Sequence, residues 1–284
     1  MKLLMITKKA KRRHPLLKKT FEEKGFEVKN IDIKEVSLFS ERGKSRIEGP
    51  KLCLAETKAA YIEAGLKLTQ FVEPLLDEIE RRGIYCQVKA GSHYALSNEP
   101  LQTTTLNAYA VKIPRTFVFR SQGKVKILAN KLSYPALVKT FAKGEKSQRF
   151  IVDLPKSLLA MSEGVKHELD GMIVREFIEG DIDQCAVIGD KVYNIQRKFE
   201  KGAIQPAKKA KMSSLSSKDT ETAIHAARIC GCDIATVKMC KGYVLKVKPL
   251  VDFLLYNRKT GADLLADVTE LFAEKTGFVK GEGK

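Results

Sequence analysis

The sequence predicts an α/β protein in two parts, a parallel β-α-β unit followed by a larger α+β unit, on the strength of three observations. The chain is 284 residues long, about twice the ~150 residues of a common domain, which favours two packed units or one large one. Its first 33 residues run strand, helix, strand by their apolar periodicity. Beyond residue 95, paired strands with tight turns and a well-capped helix replace that order.

The elements follow in sequence. KLLMIT (2–7) is a short buried strand, and the basic residues behind it stand on the wrong side for a secretory signal. HPLLKKTFEEK (14–24) is a helix closed by Gly25, and FEVKNIDI (26–33) is a second strand, far enough away for parallel pairing. Residues 34–51, with Gly43, Gly49 and Pro50 among charges, read as an exposed loop. A strand near 59–68 leads into the helix TQFVEPLLDEIERRG, where Phe71, Val72, Leu75, Leu76 and Ile79 share one face and Pro74 either starts or kinks it. IYCQVKAG (84–91) adds a strand. A helix near 98–111, the strand IPRTFVF, the helical stretch VKILANKL and the strand YPALVKTF come next. MIVREFIEG and QCAVIGDKVYNIQRKF are strands, the second turning at Gly189-Asp190. SSKDTETAIHAARICG is a helix with Ser217 as its N-cap, Asp219 and Glu221 at the positive end and Arg228 at the negative end. DIATVKMCKGYVLKVKPLVDF folds as two strands around a tight loop.

Composition narrows the function classes. Hydrophobic residues at 44% and charged residues at 30% are ordinary, and no apolar run nears the ~18 residues of a membrane span. Against 34 Asp and Glu stand 51 Lys and Arg, a net charge of +17 that asks for an anion: nucleotide, phosphorylated metabolite, acidic peptide or nucleic acid. Lysines on solvated helix faces would give the same total. Nucleic acid has no supporting motif, with aromatics at 7% and no tryptophan to stack bases. Six cysteines without a signal peptide point to thiols in a reducing cytoplasm.

IPRTFVF, YPALVK, REFIEG, VIGDKV with QRK, the capped helix, CGCDIATVKM and GYVLKVKPLVDF stand in an order that resembles the ATP-grasp superfamily. The similarity is to its RimK-like branch of ATP-dependent carboxylate-amine ligases, which includes ribosomal-protein and coenzyme glutamate ligases. The resemblance implies a Rossmann-like N-terminal domain (1–95), a central lobe (96–174) and a C-terminal lobe (175–284), with ATP between the lobes and an acyl phosphate made from a carboxylate. It implies that Lys139 reaches the nucleotide phosphates, that the backbone of Glu176, Phe177 and Ile178 reads the adenine edge, and that Glu179 meets the ribose. Arg197 would face the transferring phosphate or the substrate as the catalytic residue.

Departures from the pattern are informative. Where the resemblance implies an Asp and a Glu-x-Asn pair as magnesium ligands, the chain has Lys238, Lys246 and Lys248. Magnesium needs oxygen ligands and an ammonium offers none, which argues against this metal while leaving ATP compatible. The phosphate loop FAKGEKSQRF keeps only Gly144, an expected phosphate lysine is Pro100, and an expected arginine is Gln184. If Cys240-Lys241-Gly242 forms a three-residue loop, Lys238 sits opposite Val244 and the three lysines share a face; a two-residue turn would send Lys238 to the other face. The shared face would be an anion site, or merely a cleft opened to water.

Other candidates are weaker. Cys230, Cys232 and Cys240 lack a fourth ligand and read as buried thiols. His14, His93, His167 and His225 show no ligand spacing. Lys8, Lys9, Lys11, Arg12 and Arg13, and likewise Lys208, Lys209 and Lys211, read as substrate-binding clusters or as solvated loops. Three functions stay open: a ligase-like protein with lysines in place of the magnesium ligands, acting on an acidic peptide or coenzyme with its activity altered or lost; a non-catalytic module whose basic cleft holds nucleotide, another phosphorylated anion, acidic protein or RNA; and nucleic-acid binding over the broad basic surface.

Overall fold

The computed structural model describes residues 1–8, 13–50, 52, 54–120, 122–141, 148–164, 171–200 and 203–278. The chain begins β1 (Lys2–Thr7), α1 (Arg13–Lys24) and β2 (Glu27–Asp32). A hairpin follows, β3 (Ser37–Glu41) and β4 (Lys44–Glu48), before β5 (Thr57–Glu63), α2 (Thr69–Arg81) and β6 (Tyr85–Cys86). Strands pair in parallel in the order β2-β1-β5-β6. Apolar side chains on both faces of β1 and β5 explain the sandwich: Leu4, Ile6, Ala60 and Ile62 pack towards α2, while Leu3, Met5, Ala59 and Tyr61 pack towards α1.

Several expectations need correction here. Residues 34–51 are not a loop: Arg42 and Gly43, at φ 47° and 76°, turn β3 into β4. Two successive left-handed residues match the strands' twist, and arginine there hides the turn from a sequence reading. The strand expected near 59–68 lies at Thr57–Glu63 and gives way to a single 3-10 turn, Leu66–Leu68. Pro74 falls inside α2. IYCQVKAG shortens to Tyr85–Cys86 because the chain then leaves the sheet: the buried Gln87 amide takes both the N–H and the C=O of Ile62, at 3.2 and 2.6 Å, as a backbone neighbour would.

Two short helices, α3 (Ser92–Ser97) and α4 (Glu99–Ala108), lead to β7 (Thr116–Phe119), α5 (Gln122–Ala129), β8 (Ala136–Phe141), β9 (Arg149–Val152), α6 (Pro155–Gly164) and β10 (Gly171–Glu176). These strands form an antiparallel sheet ordered β7-β10-β8-β9. One face carries Phe119, Val138, Val152, Met172 and Val174 into a core with Val125, Ala129 and Leu158 of α5 and α6. Among the described residues no helix joins a buried apolar cluster on the opposite face, and that face borders the site.

The last part holds β11 (Ile182–Ile188), β12 (Lys191–Arg197), β13 (Phe199–Glu200), β14 (Ala203–Ile204), β15 (Lys211–Met212), α7 (Ser217–Ile229), β16 (Ile234–Cys240), β17 (Tyr243–Lys248), α8 (Phe253–Thr260) and α9 (Leu264–Thr276). Its antiparallel sheet runs β15-β12-β11-β16-β17. The N-cap of α7 is Ser216, not Ser217: the Ser216 hydroxyl accepts from the Asp219 N–H at 3.1 Å, the normal reach to the third helical residue. Cys185, Val187, Val237 and Val247 pack under Ala223, Ala226 and Ala227 of α7, while Ala186, Ile188, Ile195 and Ile234 pack against Phe253 and Tyr256 of α8.

Both of those cores are shared with the parallel sheet, so the first and third sheets are welded through common apolar clusters whereas the middle sheet keeps its own. Phe272 of α9 is central to the weld, meeting Phe21 at 5.1 Å and Tyr85 at 5.0 Å edge-on. Phe272→Ala should cost about 3–5 kcal/mol in urea unfolding, the range for removing a buried aromatic ring.

Candidate functional site

Period-2 alternation decides which side chains reach the space between the middle and last sheets. On the middle sheet, Ile173 lies between Lys139 and Val118, Arg175 lies between Leu137 and Thr116, and Arg149 pairs with Lys139. These residues therefore share the face away from α5 and α6. On the last sheet, Gln184 lies opposite both Ile195 and Lys238, and Ile182 opposite Arg197, so Arg197 and Lys238 share the face that α8 covers only at its other end.

The β16-β17 turn corrects the sequence expectation and yet keeps its consequence. Its loop is two residues, Lys241 and Gly242 at φ 49° and 76°, rather than three. That turn puts Val244 opposite Met239, and continuing the register would bring Leu245 opposite Lys238. A bulge intervenes: the pairing skips Leu245, so Lys238 opposes Lys246, and Thr236 opposes Lys248. Three lysines thus share one face because the extra residue offsets the shorter loop.

Every charge that acts strongly on Lys238 is positive. Burial, then Lys248, Arg197, Lys246 and Arg149, push its ammonium down to about 8. Lys248 is lowered by burial and by Lys246 and Arg149. Among the described residues, no carboxylate lies within ion-pair distance of Lys238, Lys248 or Arg197. Like charges paired across strands destabilise a sheet by ~0.2–1 kcal/mol each. The fold carries that cost at this place.

No binding motif in the sequence marks Glu99. Asn98 caps α4, its side chain accepting from the Leu101 N–H at 3.1 Å, and Glu99 and Pro100 form the first turn. The Glu99 carboxylate is hydrogen-bonded to the Lys139 ammonium and lies 3.6 Å from Lys246 and 3.7 Å from Arg175. Burial would raise this carboxyl, but Lys139, Lys246 and Arg175 together hold it below its usual value. Burial pushes Lys139 down to about 8, with Glu99 opposing and Arg175 and Lys246 reinforcing. Arg175 also donates to the Leu245 carbonyl at 3.1 Å, the residue that the bulge leaves unpaired.

A buried amide holds α4 in register. Gln102 donates to the Val247 carbonyl at 3.0 Å and accepts from its N–H at 3.1 Å, closing the outer edge of β17. Gln102→Leu leaves both Val247 groups unpaired and should cost about 2–4 kcal/mol in urea unfolding, from two buried backbone groups without partners. Beside α4 a cavity of about 600 Å³ is lined by Tyr94, Ser97, Glu99, Val118, Arg120 and Lys139, within the usual range of ligand pockets.

The remaining sequence candidates are dispersed or differently engaged. The N–H groups of Glu176 and Phe177 are committed to the Arg115 and Pro135 carbonyls, at 3.0 and 2.9 Å, and the Ile178 carbonyl accepts from the Cys240 thiol at 3.6 Å. Glu179 is exposed. Arg197 donates through Nε to the Gln205 carbonyl at 2.7 Å. Gln184 is next to Lys238, whereas Asp183 faces the other way, bound by Asn194 at 2.8 Å. Cys230, Cys232 and Cys240 are buried, and burial pushes Cys230 up to about 12. Lys208, Lys209 and Lys211 are exposed. Residues 9–12, His167 and Gly144 of the expected phosphate loop lie outside the described residues. Among the described residues no three or more of His, Cys, Asp and Glu gather into a group that could hold a metal ion.

No family model and no curated protein matches the chain. Solved structures do. A Chryseobacterium gregarium RiPP-associated ATP-grasp ligase in complex with ADP and a leader and core peptide superposes with TM-score 0.71 and 17% identity over 96% of this chain and 97% of that one. The Microcystis aeruginosa macrocyclase MdnC, bound with the precursor peptide MdnA, gives 0.69 and 18% over 97% and 100%. A RimK domain ATP-grasp protein from Sphaerobacter thermophilus gives 0.65 and 14% over 99% and 100%. Superposition along nearly the whole of both chains, with the parallel sheet first and two antiparallel sheets after it, shows that this protein has the RimK-like ATP-grasp fold.

Proposed function

We propose that the cleft binds a nucleoside triphosphate through ammonium and guanidinium groups in place of magnesium, and that ordinary acyl-phosphate ligation is slowed or lost. The carrying observation is the set Lys238, Lys246, Lys248 and Arg197 on one sheet face, with only cations acting strongly on Lys238. A metal does not fit the described donors. The ammonium ends cannot ligate, and the one carboxylate among the described residues that ion-pairs with the cleft cations, Glu99, is already shared by Lys139, Lys246 and Arg175. Lysine supplies charge without clamping two oxygens at fixed geometry as a divalent ion does, so positioning of an acyl phosphate suffers most.

In this reading Lys139 and Lys246 meet one end of the triphosphate, while Lys238, Lys248 and Arg197 meet the other. Adenine recognition falls to the Glu176 carbonyl and the Ile178 N–H, because the Glu176 and Phe177 N–H groups are already bonded. The fold also supports a second reading, a working ligase on an acidic peptide: structures it resembles hold ADP with leader and core peptide, or a precursor peptide. Nucleic acid gains no support from those neighbours.

Calorimetry with ATP in EDTA, repeated with excess magnesium, separates the readings. Binding in EDTA that magnesium leaves unchanged or weakens supports lysine-mediated capture, since the metal neutralises the phosphates beforehand. Binding that needs magnesium, with phosphate released on adding acidic peptide, supports the ligase.

A further inference from the structure

Glu99 raises a question that anion capture alone does not answer. Its carboxylate bridges Lys139, Arg175 and Lys246, with Oε1 towards the first two and Oε2 towards the third. Two oxygens shared among three cations is the arrangement that a phosphate would adopt there. The side chain is largely buried, lines the cavity of about 600 Å³, and sits on the first turn of a helix pinned to β17 by Gln102. One subsite of the cleft thereby has part of its positive charge offset from within, one carboxylate against three cations. The neighbouring subsite of Lys238, Lys248 and Arg197 has no such partner among the described residues.

We infer that Glu99 is a built-in counter-ion, standing in for a ligand phosphate, and that it must give up Lys139, Arg175 and Lys246 before an anion can occupy both subsites. This rests on the anion-cleft reading above and adds what sets its selectivity. An anion of one or two charges cannot fill the open subsite and also displace a tethered carboxylate, which competes at no loss of translational freedom. A chain of several phosphates can anchor on Lys238, Lys248 and Arg197 first and then deliver a further phosphate to the three cations. Glu99 therefore selects polyphosphates over single phosphates. It is a specificity-determining side chain with no bond-making role.

The test uses the full chain and two probes in EDTA, inorganic tripolyphosphate and orthophosphate. Glu99→Gln removes the competing charge but keeps the shape, so it should tighten both probes, orthophosphate by about 10-fold or more, and narrow the preference between them. Glu99→Asp retracts the carboxylate by one methylene and should give a smaller shift in the same direction, which keeps the test open if Glu99→Gln folds poorly by circular dichroism. Weaker or unchanged binding in both variants, with the wild type binding tripolyphosphate normally, overturns the counter-ion role alone. Failure of the wild type and both variants to bind either probe overturns the cleft reading and this inference together. In a parallel titration with excess magnesium in place of EDTA, tightening that Glu99→Gln abolishes would make Glu99 a metal ligand, again contradicting the proposal.

Discussion

Lys238→Met should make the ligand-free protein more stable and its nucleotide binding much weaker. The two signs follow from one fact, that Lys238 is half-buried among Lys246, Lys248, Arg197 and Arg149 and faces Lys246 directly across the strands. Methionine keeps most of the apolar stem and removes the repelling charge, which should raise unfolding stability by about 1 kcal/mol. The same change deletes a charge-assisted contact to phosphate, worth about 1.5–3 kcal/mol, or roughly 10- to 100-fold in affinity. Urea unfolding and calorimetry with ATP in EDTA read the two quantities. A destabilised variant with unaltered binding would mean that the lysine stem packs the sheet and its charge meets only water.

The second large effect is on pH. An unfolded chain keeps its lysine protons to about 10.4, whereas Lys238 and Lys139 in the folded protein are pushed down to about 8. Between those values the unfolded state binds more protons, so these lysines make stability rise with pH, and below about 8 their destabilising charge is present in full. Buried thiols and tyrosines act the other way: Cys185, Tyr85 and Tyr256 are held protonated by burial and lose stability as pH rises. The clean readout is therefore a difference. The stability advantage of Lys238→Met over wild type should be largest below pH 8 and vanish towards pH 10.5. Wild-type affinity for ATP should fall through pH 8 to 9 as Lys238 and Lys139 lose charge, with proton uptake on binding, and Lys238→Met should show a flatter fall. A gap independent of pH would place the Lys238 titration elsewhere.

Local rules made much of this legible in the sequence. Apolar periodicity gave β1, α1, β2 and the face of α2, and alternation put Lys246 and Lys248 on one side of their strand. What local rules miss is pairing chosen by distant parts of the chain. The bulge at Leu245 has no residue signature; its carbonyl is taken by Arg175, seventy positions away in sequence. Gln87 and Gln102 look like surface polar residues until their amides are seen completing strand edges. The β3-β4 hairpin hid behind an arginine in a left-handed turn position. Glu99 carries a legible cap pattern with Asn98 and Pro100, but its value lies in three cations from two sheets. In residues 254–276, by contrast, the helices are signalled locally, since Asp252 and Asp263 cap α8 and α9 by the ordinary rule.

The central claim is the proposal that ammonium groups would hold nucleotide phosphates in this cleft in place of a divalent ion. A crystal structure of the protein with ATP and manganese, with diffraction recorded at the manganese absorption edge, tests it most directly. The expected result is phosphate oxygens within hydrogen-bond distance of Lys238, Lys246 and Lys248 and no anomalous peak among them. A manganese peak bridging the phosphates to Glu99, with those lysines turned to solvent, would contradict the account and return the protein to the working ligases.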